Sequence, residues 1–284
     1  MHFAIYGSRH QDEFIGAIAD FLRGLARDGH TAVMHTKLYR YLLHCAPGAL
    51  ECVRRVTDGD DFTADYAVSL GGDGTFLRTA AWIGDKEIPV IGVNTGHLGF
   101  LASLGAADLP SLARLLAAGD FALERRSIVS VGAPGLTGWP YAVNEVTVTR
   151  AESASMLHVR VTIDSIPLAD YRADGLIVST PTGSTAYNLS VGGPIVQPSA
   201  PVLVLSPIAA HSLSMRPLVV ADTSRLSLRC SGRGTTMRLS LDGRAVQLPM
   251  GTTVTIERAP FALLAVQAAG HNFADTLRSK LQWG

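Results

Sequence analysis

This 284-residue chain is 47% hydrophobic and 17% charged, a composition that supports a large buried core and leaves room for two domains. Its 24 basic and 24 acidic side chains balance, so no overall charge attracts nucleic acid or a membrane surface, and we expect neither as a partner. The three cysteines lack C-x-x-C spacing and no long apolar stretch is present, which argues against a secreted disulfide scaffold or a membrane-spanning helix and favours a cytoplasmic protein.

The first part of the chain alternates short apolar strands with helical patterns. The predicted strands are residues 2–6, 31–35, 65–70 and 88–93, and the predicted helices are residues 12–27, 75–83 and 108–118. Residues 36–64 show no clear pattern. Alternation of this kind predicts parallel strands joined by crossover helices, so we expect a doubly wound α/β domain over residues 1–122, with ligands at the carboxyl ends of its strands.

The rest of the chain has a different texture. From residue 123 to residue 268, short alternating segments are separated by Gly and Pro, which predicts a larger, β-sandwich-like domain. In residues 269–284, Phe273, Leu277 and Leu281 recur at helical spacing behind Asn272, a residue type that often caps helices. We therefore expect a C-terminal helix that returns to pack on the first domain.

The turn from Gly71 to Thr75, with sequence GGDGT, stands between a predicted strand and a predicted helix. Its three glycines allow close approach of a ligand to backbone N–H groups, and the following helix N terminus favours phosphate. The alternative is a tight turn with a solvated Asp73. The turn is neither a Walker loop nor a G-x-G-x-x-G motif. Arg78, one helical turn later, could reach the same anion or form a surface ion pair.

Two further polar groups are associated with predicted strands, one after a strand and one inside a strand. Asn94, Thr95 and Gly96 come after the strand 88–93, with Phe100 beyond them as either a core residue or a platform on which a base stacks. In the segment YAVNEVTVTR, Asn-Glu at positions 144–145 stands inside a predicted strand. One of two strand neighbours must point to the buried side unless the pair lines a cleft, and we favour the cleft.

The most distinctive segment is residues 171–197, where an Asp-Gly turn leads into an apolar strand and then into a loop dense in hydroxyls around Gly183. Such a loop can satisfy many acceptors on a nucleotide without adding charge, although a simple Ser/Thr-rich turn is the alternative. The hydroxyls are those of Ser179, Thr180, Thr182, Ser184 and Thr185.

Together these motifs resemble those of bacterial NAD kinases. GGDGT, NTGHLGF, NEV, DGLIVSTPTGSTAYNLSVGGPI, SPIAAHSLSMRPLVV and LDG occur in the same order and spacing, from about Tyr66 to the C terminus. GGDG alone is shared with diacylglycerol and sphingosine kinases and with phosphofructokinases. The STPTGSTAY segment is the motif that favours NAD kinases among these families. The resemblance implies that the chain transfers the terminal phosphoryl group of a nucleoside triphosphate, such as ATP, to the 2′-hydroxyl of the adenosine ribose of NAD.

The resemblance also implies roles for individual residues. Asp73 would be the general base, with Gly74 and Arg78 near the phosphates. Ser155 stands where many relatives carry a basic residue, so a phosphate contact there is in question. Asn94 and Phe100 would contact the adenosine, Asn144 and Glu145 would hold the ribose, and Arg172 and Asp174 would lie at the nicotinamide. Asp242 and Arg244 would close the pocket. The residues that would contact the dinucleotide along one wall are Thr182, Thr185, Ala186, Tyr187, Asn188, Leu189 and Ser190.

No His/Cys cluster or H-E-x-x-H pattern is present, so we assign no protein metal ligand and expect Mg²⁺ to arrive with the nucleotide. The expected partners are NAD and a phosphoryl donor, in a homodimer or homotetramer. Two alternatives stay open. A lipid kinase that shares GGDGT would need an apolar channel and a face that approaches membranes. A non-catalytic NAD(H)-binding sensor would be signalled by loss of Asp73, which is present.

Overall fold

The computed structural model describes residues 1–8, 12–95, 99–102, 104–151, 156–268, 270 and 272–283. The chain divides into an α/β unit, Met1–Arg125 with Leu263–Gly284, and a β-rich unit, Arg126–Ala262. The fold class predicted from the sequence is confirmed, because a doubly wound first unit, a sandwich-like second unit and a C-terminal helix belonging to the first are all present.

The α/β unit is built on a parallel sheet with strand order β3-β2-β1-β4-β5, and β6 pairs with β5. Its strands are β1 His2–Gly7, β2 Thr31–Met34, β3 Val53–Val56, β4 Tyr66–Leu70, β5 Val90–Asn94 and β6 Leu104–Gly105. Its first four helices are α1 Ile15–Arg27, α2 Thr36–Cys45, α3 Asp73–Ile83 and α4 Leu112–Ala118, with 3₁₀ turns at Asp12–Phe14, Pro47–Ala49 and Ala106–Ser111.

The helical spacing of apolar residues explains why α1 covers the sheet. Ile18, Phe21, Leu22 and Leu25 recur on one side of α1 and are buried in the same core as Phe3 of β1. Burial of each such side chain stabilises the folded state by about 1.5–3 kcal/mol. Because β4 and β5 pair in parallel, the loops that follow them open at the same edge of the sheet.

The predicted helix 108–118 begins later than expected. Pro110 lies in the 3₁₀ turn Ala106–Ser111, and α4 starts only at Leu112. Proline has no N–H group to donate and its ring crowds the preceding turn, which explains the break. Residues 36–64, which gave no sequence pattern, form α2 and β3. Only Leu38 and Leu42 of α2 are buried, so its apolar stripe was too short to recognise.

The β-rich unit contains two antiparallel sheets. The first has the strand order β14-β13-β12-β9-β16-β17 and the second β11-β10-β15-β18, with β7 pairing with β18 and β8. The strands are β7 Phe121–Gly132, β8 Tyr141–Ala142, β9 Glu145–Arg150, β10 Leu157–Ile163, β11 Ile166–Ala173, β12 Gly175–Ser179, β13 Val202–Ile208, β14 Leu218–Ala221, β15 Leu226–Ser231, β16 Thr236–Leu241, β17 Arg244–Pro249 and β18 Thr253–Ala268, and the short helix α5 is Tyr187–Ser190.

A single core lies between these two sheets. Val148 and Leu176 of the first sheet and Val159 and Leu228 of the second are fully or almost fully buried in one apolar cluster. In β10, β15 and β16, alternate residues point away from this cluster and are half-buried or exposed, as expected when one face of a sheet is packed and the other is solvated.

The last helix, α6 Phe273–Leu281, belongs to the α/β unit. The side chain of Asn272 accepts a hydrogen bond from the N–H of Asp275 at 2.9 Å, which is the N-cap predicted from the sequence. Phe273, Leu277 and Lys280 share its half-buried side. Among the described residues, no helix combines the length and the apolarity needed to cross a bilayer.

Candidate active site

Asp73 is the first residue of α3 and its side chain is fixed by the backbone of a second loop. Its two carboxylate oxygens accept hydrogen bonds from the N–H groups of Phe100 at 2.8 Å and Leu101 at 3.0 Å. An acidic side chain in the first helical turn also interacts favourably with the helix dipole. Asp73 is therefore not the solvated turn residue that the sequence left as an alternative.

A glycine makes this arrangement possible. A Cβ atom on Gly99 would lie 1.8 Å from Oδ1 of Asp73, far inside van der Waals contact. No side chain can occupy this position while the Asp73 carboxylate keeps its hydrogen bonds to residues 100 and 101. Gly99 belongs to the NTGHLGF motif, but its position in that motif does not reveal that it makes room for the Asp73 carboxylate.

The carboxyl ends of β4 and β5 carry buried polar atoms without partners. Ser69 Oγ and Asn94 Oδ1 are inaccessible to water and accept or donate no hydrogen bond among the described residues. Leaving such a group unsatisfied costs about 1–3 kcal/mol, so a ligand or water is expected to complete it. Asn94 thus lies where the sequence placed it, whereas Gly96, the third member of its group, lies outside the described residues.

Three further residues predicted for the site lie close to Asp73 in the chain or in its hydrogen bonds. Arg78 is exposed, and its guanidinium donates to Thr75 Oγ1 at 3.2 Å. Among the described residues it forms no ion pair, so its charge is available near the start of α3. Gly74 is exposed beside it, and Phe100 is half-buried, which is compatible with either of its two predicted roles.

A cation from the C-terminal helix completes this group. Burial lowers the pKa of Lys280, and the negative charge of Asp73 acts in the opposite direction, so the two side chains interact electrostatically. Sequence reasoning missed Lys280, although it follows Phe273 and Leu277 by seven and three residues. That spacing alone places it on the packed side of α6.

In the β-rich unit, a second aspartate organises a bend. The Asp242 carboxylate accepts hydrogen bonds from the N–H groups of Val143 and Asn144, both at 2.8 Å, and of Glu145 at 3.2 Å. The prediction that residues 144 and 145 are neighbours inside one strand is wrong, because β9 begins only at Glu145. The bend frees both side chains from strict alternation, so both can face the same polar site.

The hydroxyl-rich loop packs directly on this bend. Thr180 donates its N–H to Asn144 O at 2.9 Å and its hydroxyl to Val143 O at 2.6 Å. A Cβ atom on Gly183 would lie 2.1 Å from Asn144 O, so only glycine allows the 3₁₀ turn Thr182–Thr185 to approach so closely. The two sequence motifs form one structural feature.

Three oxygen atoms in this feature are buried without partners among the described residues, namely Asn144 Oδ1, Glu145 Oε2 and Thr182 Oγ1. Burial raises the pKa of Glu145 from 4.5 to about 7, the charge of Asp242 adds to this effect, and the N–H of Tyr187 opposes it. Glu145 can therefore accept or donate a hydrogen bond near neutral pH, depending on its protonation. These oxygens are well suited to bind hydroxyl groups of a ligand.

The rest of the loop divides into exposed and structural residues. Tyr187 is 42% exposed, so its ring is available to a ligand. Asn188 is fully buried, and its amide donates to Ser184 O and Pro194 O and accepts from Ser206 Oγ at 2.6 Å. Both N–H groups of Asn188 are thus used inside the protein. Of the other predicted contacts, Ser190 is exposed and Thr185, Ala186 and Leu189 are half-buried.

The remaining predicted residues are engaged elsewhere in the β-rich unit. Asp174 forms an ion pair with Arg150 at 3.0 Å. Arg172 is exposed on β11. Arg244 donates to the carbonyl oxygens of Trp139 and Tyr141, which ties down the segment before the 143–145 bend. Ser155 lies outside the described residues.

Two models of one known protein family together match most of the chain. Residues 26–121 match the ATP-NAD kinase N-terminal domain, and residues 143–268 match the ATP-NAD kinase C-terminal domain. The chain belongs to the NAD kinase family. It is 41% identical to the NAD kinase of Porphyromonas gingivalis over 99% of this chain and 97% of that protein. It is 36% identical to the NAD kinase of Bacteroides fragilis over 100% and 98% of the two chains.

Solved structures of this family share the fold. Yeast NADH kinase complexed with NADH superimposes with a TM-score of 0.89 at 22% identity, covering 100% of this chain and 88% of that chain. An NAD kinase from Archaeoglobus fulgidus in complex with ATP gives a TM-score of 0.78 at 23% identity, covering both chains fully. The NAD kinase fold therefore extends over the whole chain.

The pKa of Glu145 generates a test of the site. Because its folded-state pKa of about 7 lies above its ordinary value of 4.5, the folded protein holds the proton more tightly than the unfolded chain. This stabilisation is complete below about pH 4.5 and is lost as the pH rises through 7. Glutamine mimics the protonated form and does not titrate. We therefore expect the free energy of unfolding of Glu145→Gln, measured relative to that of wild type, to be roughly 2–3 kcal/mol higher at pH 8 than at pH 5. Urea unfolding at both pH values measures this, and an unchanged difference would show that Glu145 titrates normally.

Proposed function

We propose that this NAD kinase family member transfers the terminal phosphoryl group of a nucleoside triphosphate to the 2′-hydroxyl of the adenosine ribose of NAD, giving NADP. The observation that carries the proposal is the Asp73 carboxylate, which is held at the start of α3 by two backbone N–H groups. Membership of the family supports NAD as the acceptor, and the ATP complex of the Archaeoglobus fulgidus relative supports ATP as a donor.

A ribose hydroxyl is a poor nucleophile, so it must be aligned with the phosphorus atom and must lose its proton as the new bond forms. Each oxygen of Asp73 accepts one backbone N–H and keeps a further lone pair for the hydroxyl proton. We assign Asp73 as the general base. A positioned base of this kind contributes about 10² to 10⁴ in rate.

The donor phosphates are proposed to lie at the start of α3. Backbone N–H groups of the turn that includes Gly74 and the helix dipole favour phosphate there, and Arg78 and Lys280 add positive charge. The described residues contain no group of three or more His, Cys, Asp or Glu side chains that could hold a metal ion. We therefore propose that Mg²⁺ is carried by the triphosphate oxygens, where its charge would screen the phosphates.

The NAD molecule is proposed to use the polar atoms that lack partners in the protein. Asn144 and Glu145 would hold ribose hydroxyls, and Thr182 would contact the dinucleotide beside them. The exposed ring of Tyr187 would stack along it. Asn94, with its unsatisfied oxygen, and the half-buried Phe100 would line the adenosine side.

Other predicted site residues receive supporting roles. Asp242 and Asn188 shape the bend and the loop through hydrogen bonds to backbone groups. Arg244 does the same for the segment from Trp139 to Tyr141. The residues that we retain as direct contacts of the dinucleotide are Thr185, Ala186, Leu189 and Ser190, with Arg172 and Asp174 at the nicotinamide end.

We further propose that the protein works in the cytoplasm as a homodimer or homotetramer. Cys45, Cys52 and Cys230 are free thiols, which suits a reducing compartment. A lipid kinase and a non-catalytic sensor are the competing functions. Family membership disfavours the first, and the fixed Asp73 carboxylate disfavours the second.

One assay separates these functions. The purified protein is incubated with Mg²⁺, each of ATP, GTP and inorganic polyphosphate, and either NAD or a dispersed diacylglycerol as acceptor. We expect NADP, detected by an NADP-specific dehydrogenase, with ATP and NAD, and no phosphorylated lipid. NAD binding without NADP formation from any donor would establish the sensor, and phosphorylated lipid would establish the lipid kinase.

The close contact of Gly99 with Asp73 gives a second test. Gly99→Ala places a methyl group where Oδ1 of Asp73 now lies, so the carboxylate must move and lose its two N–H donors. We expect the kcat for NADP formation to fall at least about tenfold, since a small misplacement of a reacting group is costly. Gly16→Ala is the matched control, because its Cβ meets no atom within 4 Å. Equal kcat values for the two variants would contradict the assigned geometry.

A further inference from the structure

A cavity of about 270 Å³ opens in the β-rich unit and is lined by residues of β10, β11 and β15 and of the turn before β18. Arg160 and Arg229 line it and are exposed, whereas their strand neighbours Val159, Val161 and Leu228 are buried in the sandwich core. The two arginines therefore belong to the solvated side of the sheet. The residues that line this cavity have no part in the proposed reaction.

The two arginines form a like-charged pair across adjacent strands. Arg160 of β10 lies directly opposite Arg229 of β15, and Asp170 of β11 lies opposite Arg160 on its other side. Like charges that face each other across antiparallel strands repel and reduce stability. Within the described ranges, neither guanidinium forms a hydrogen bond or an ion pair, with Asp170 or with any other residue.

The surrounding residues add hydrogen-bond donors and positive charge. In the next row of the same side of the sheet, His158 lies opposite both Arg172 and Ser231. Ser231 also lines the cavity, together with Gly251 from the turn before β18. Among the lining residues that the structure describes, Asp170 is the only one with a carboxylate. Because the chain as a whole is neutral, this local excess of positive charge is a property of the cavity and not of the general surface.

We propose that this cavity binds a small oxyanion, carrying phosphate or carboxylate groups, between the guanidinium groups of Arg160 and Arg229. Guanidinium groups present paired N–H donors that match both kinds of oxyanion. An anion between the two arginines replaces their mutual repulsion with two attractions. The hydroxyl of Ser231 supplies a further donor. Asp170 disfavours anions on the β11 side and thereby restricts the ligand to the space between β10 and β15.

The test compares wild type with Arg160→Gln/Arg229→Gln and with the control Arg238→Gln. Arg238 is also an exposed strand arginine of the β-rich unit, but it lies opposite Thr149 and Gln247 in the other sheet. Inorganic phosphate and citrate are titrated separately by calorimetry into the nucleotide-free protein, at an ionic strength kept constant with KCl. We expect the double variant to bind the anion at this site at least tenfold more weakly than wild type. We expect Arg238→Gln to bind it with the wild-type affinity.

Comparing the phosphate and citrate titrations of wild type identifies the preferred oxyanion. Weaker binding of either anion by the double variant supports the proposed site. Equal stoichiometry and affinity for both anions in wild type and double variant would overturn it. Folding of the double variant is checked by urea unfolding in low salt without added anion. There we expect a midpoint equal to or above that of wild type, because the like-charged pair is gone. A lower midpoint would contradict the repulsion on which the proposal is based.

Discussion

The Asp73 carboxylate accepts hydrogen bonds from two consecutive N–H groups, and this interaction ties the start of α3 to the loop that follows β5. Both segments leave the carboxyl ends of adjacent parallel strands, where the buried oxygens of Ser69 and Asn94 also lie. The tether requires glycine at position 99, because any Cβ there would overlap the carboxylate. The proposed reaction depends on it, since a base that moved freely could not meet one hydroxyl of a dinucleotide in a defined direction.

The β-rich unit uses an aspartate in a similar way but for a different purpose. Asp242 receives three N–H groups of the bend 143–145, and its carboxylate is directed wholly at the backbone. The bend presents the unsatisfied oxygens of Asn144 and Glu145, and burial beside Asp242 raises the pKa of Glu145 to about 7. The two carboxylates thus differ in the number of backbone N–H groups that they accept, which is three for Asp242 and two for Asp73.

Local patterns in the sequence predicted what depends on local physics. The alternation of apolar strands with helices and the Asn272 cap of α6 are confirmed, and GGDGT lies at the predicted junction of β4 and α3, although α3 begins at Asp73 and not at residue 75. The edge strand β3 was missed because three of its four residues are exposed and carry no apolar alternation. The bend at Asn144 was missed because Asp242, which causes it, lies 98 residues away in the chain. Long-range hydrogen bonds of this kind leave no periodic signal in a single sequence.

The most direct test of Asp73 as general base is a comparison of turnover with NAD affinity in Asp73→Asn. Asparagine has one side-chain oxygen, which can replace only one of the two carboxylate oxygens as acceptor for the N–H groups of Phe100 and Leu101. The asparagine side chain also cannot take the proton of the ribose hydroxyl. Measured NAD affinity reports any displacement of the loop, and kcat reports the loss of the base. We predict that kcat for NADP formation falls about 10² to 10⁴ fold while the Kd for NAD changes by no more than about threefold. A variant that keeps more than roughly a tenth of wild-type turnover would contradict the assignment.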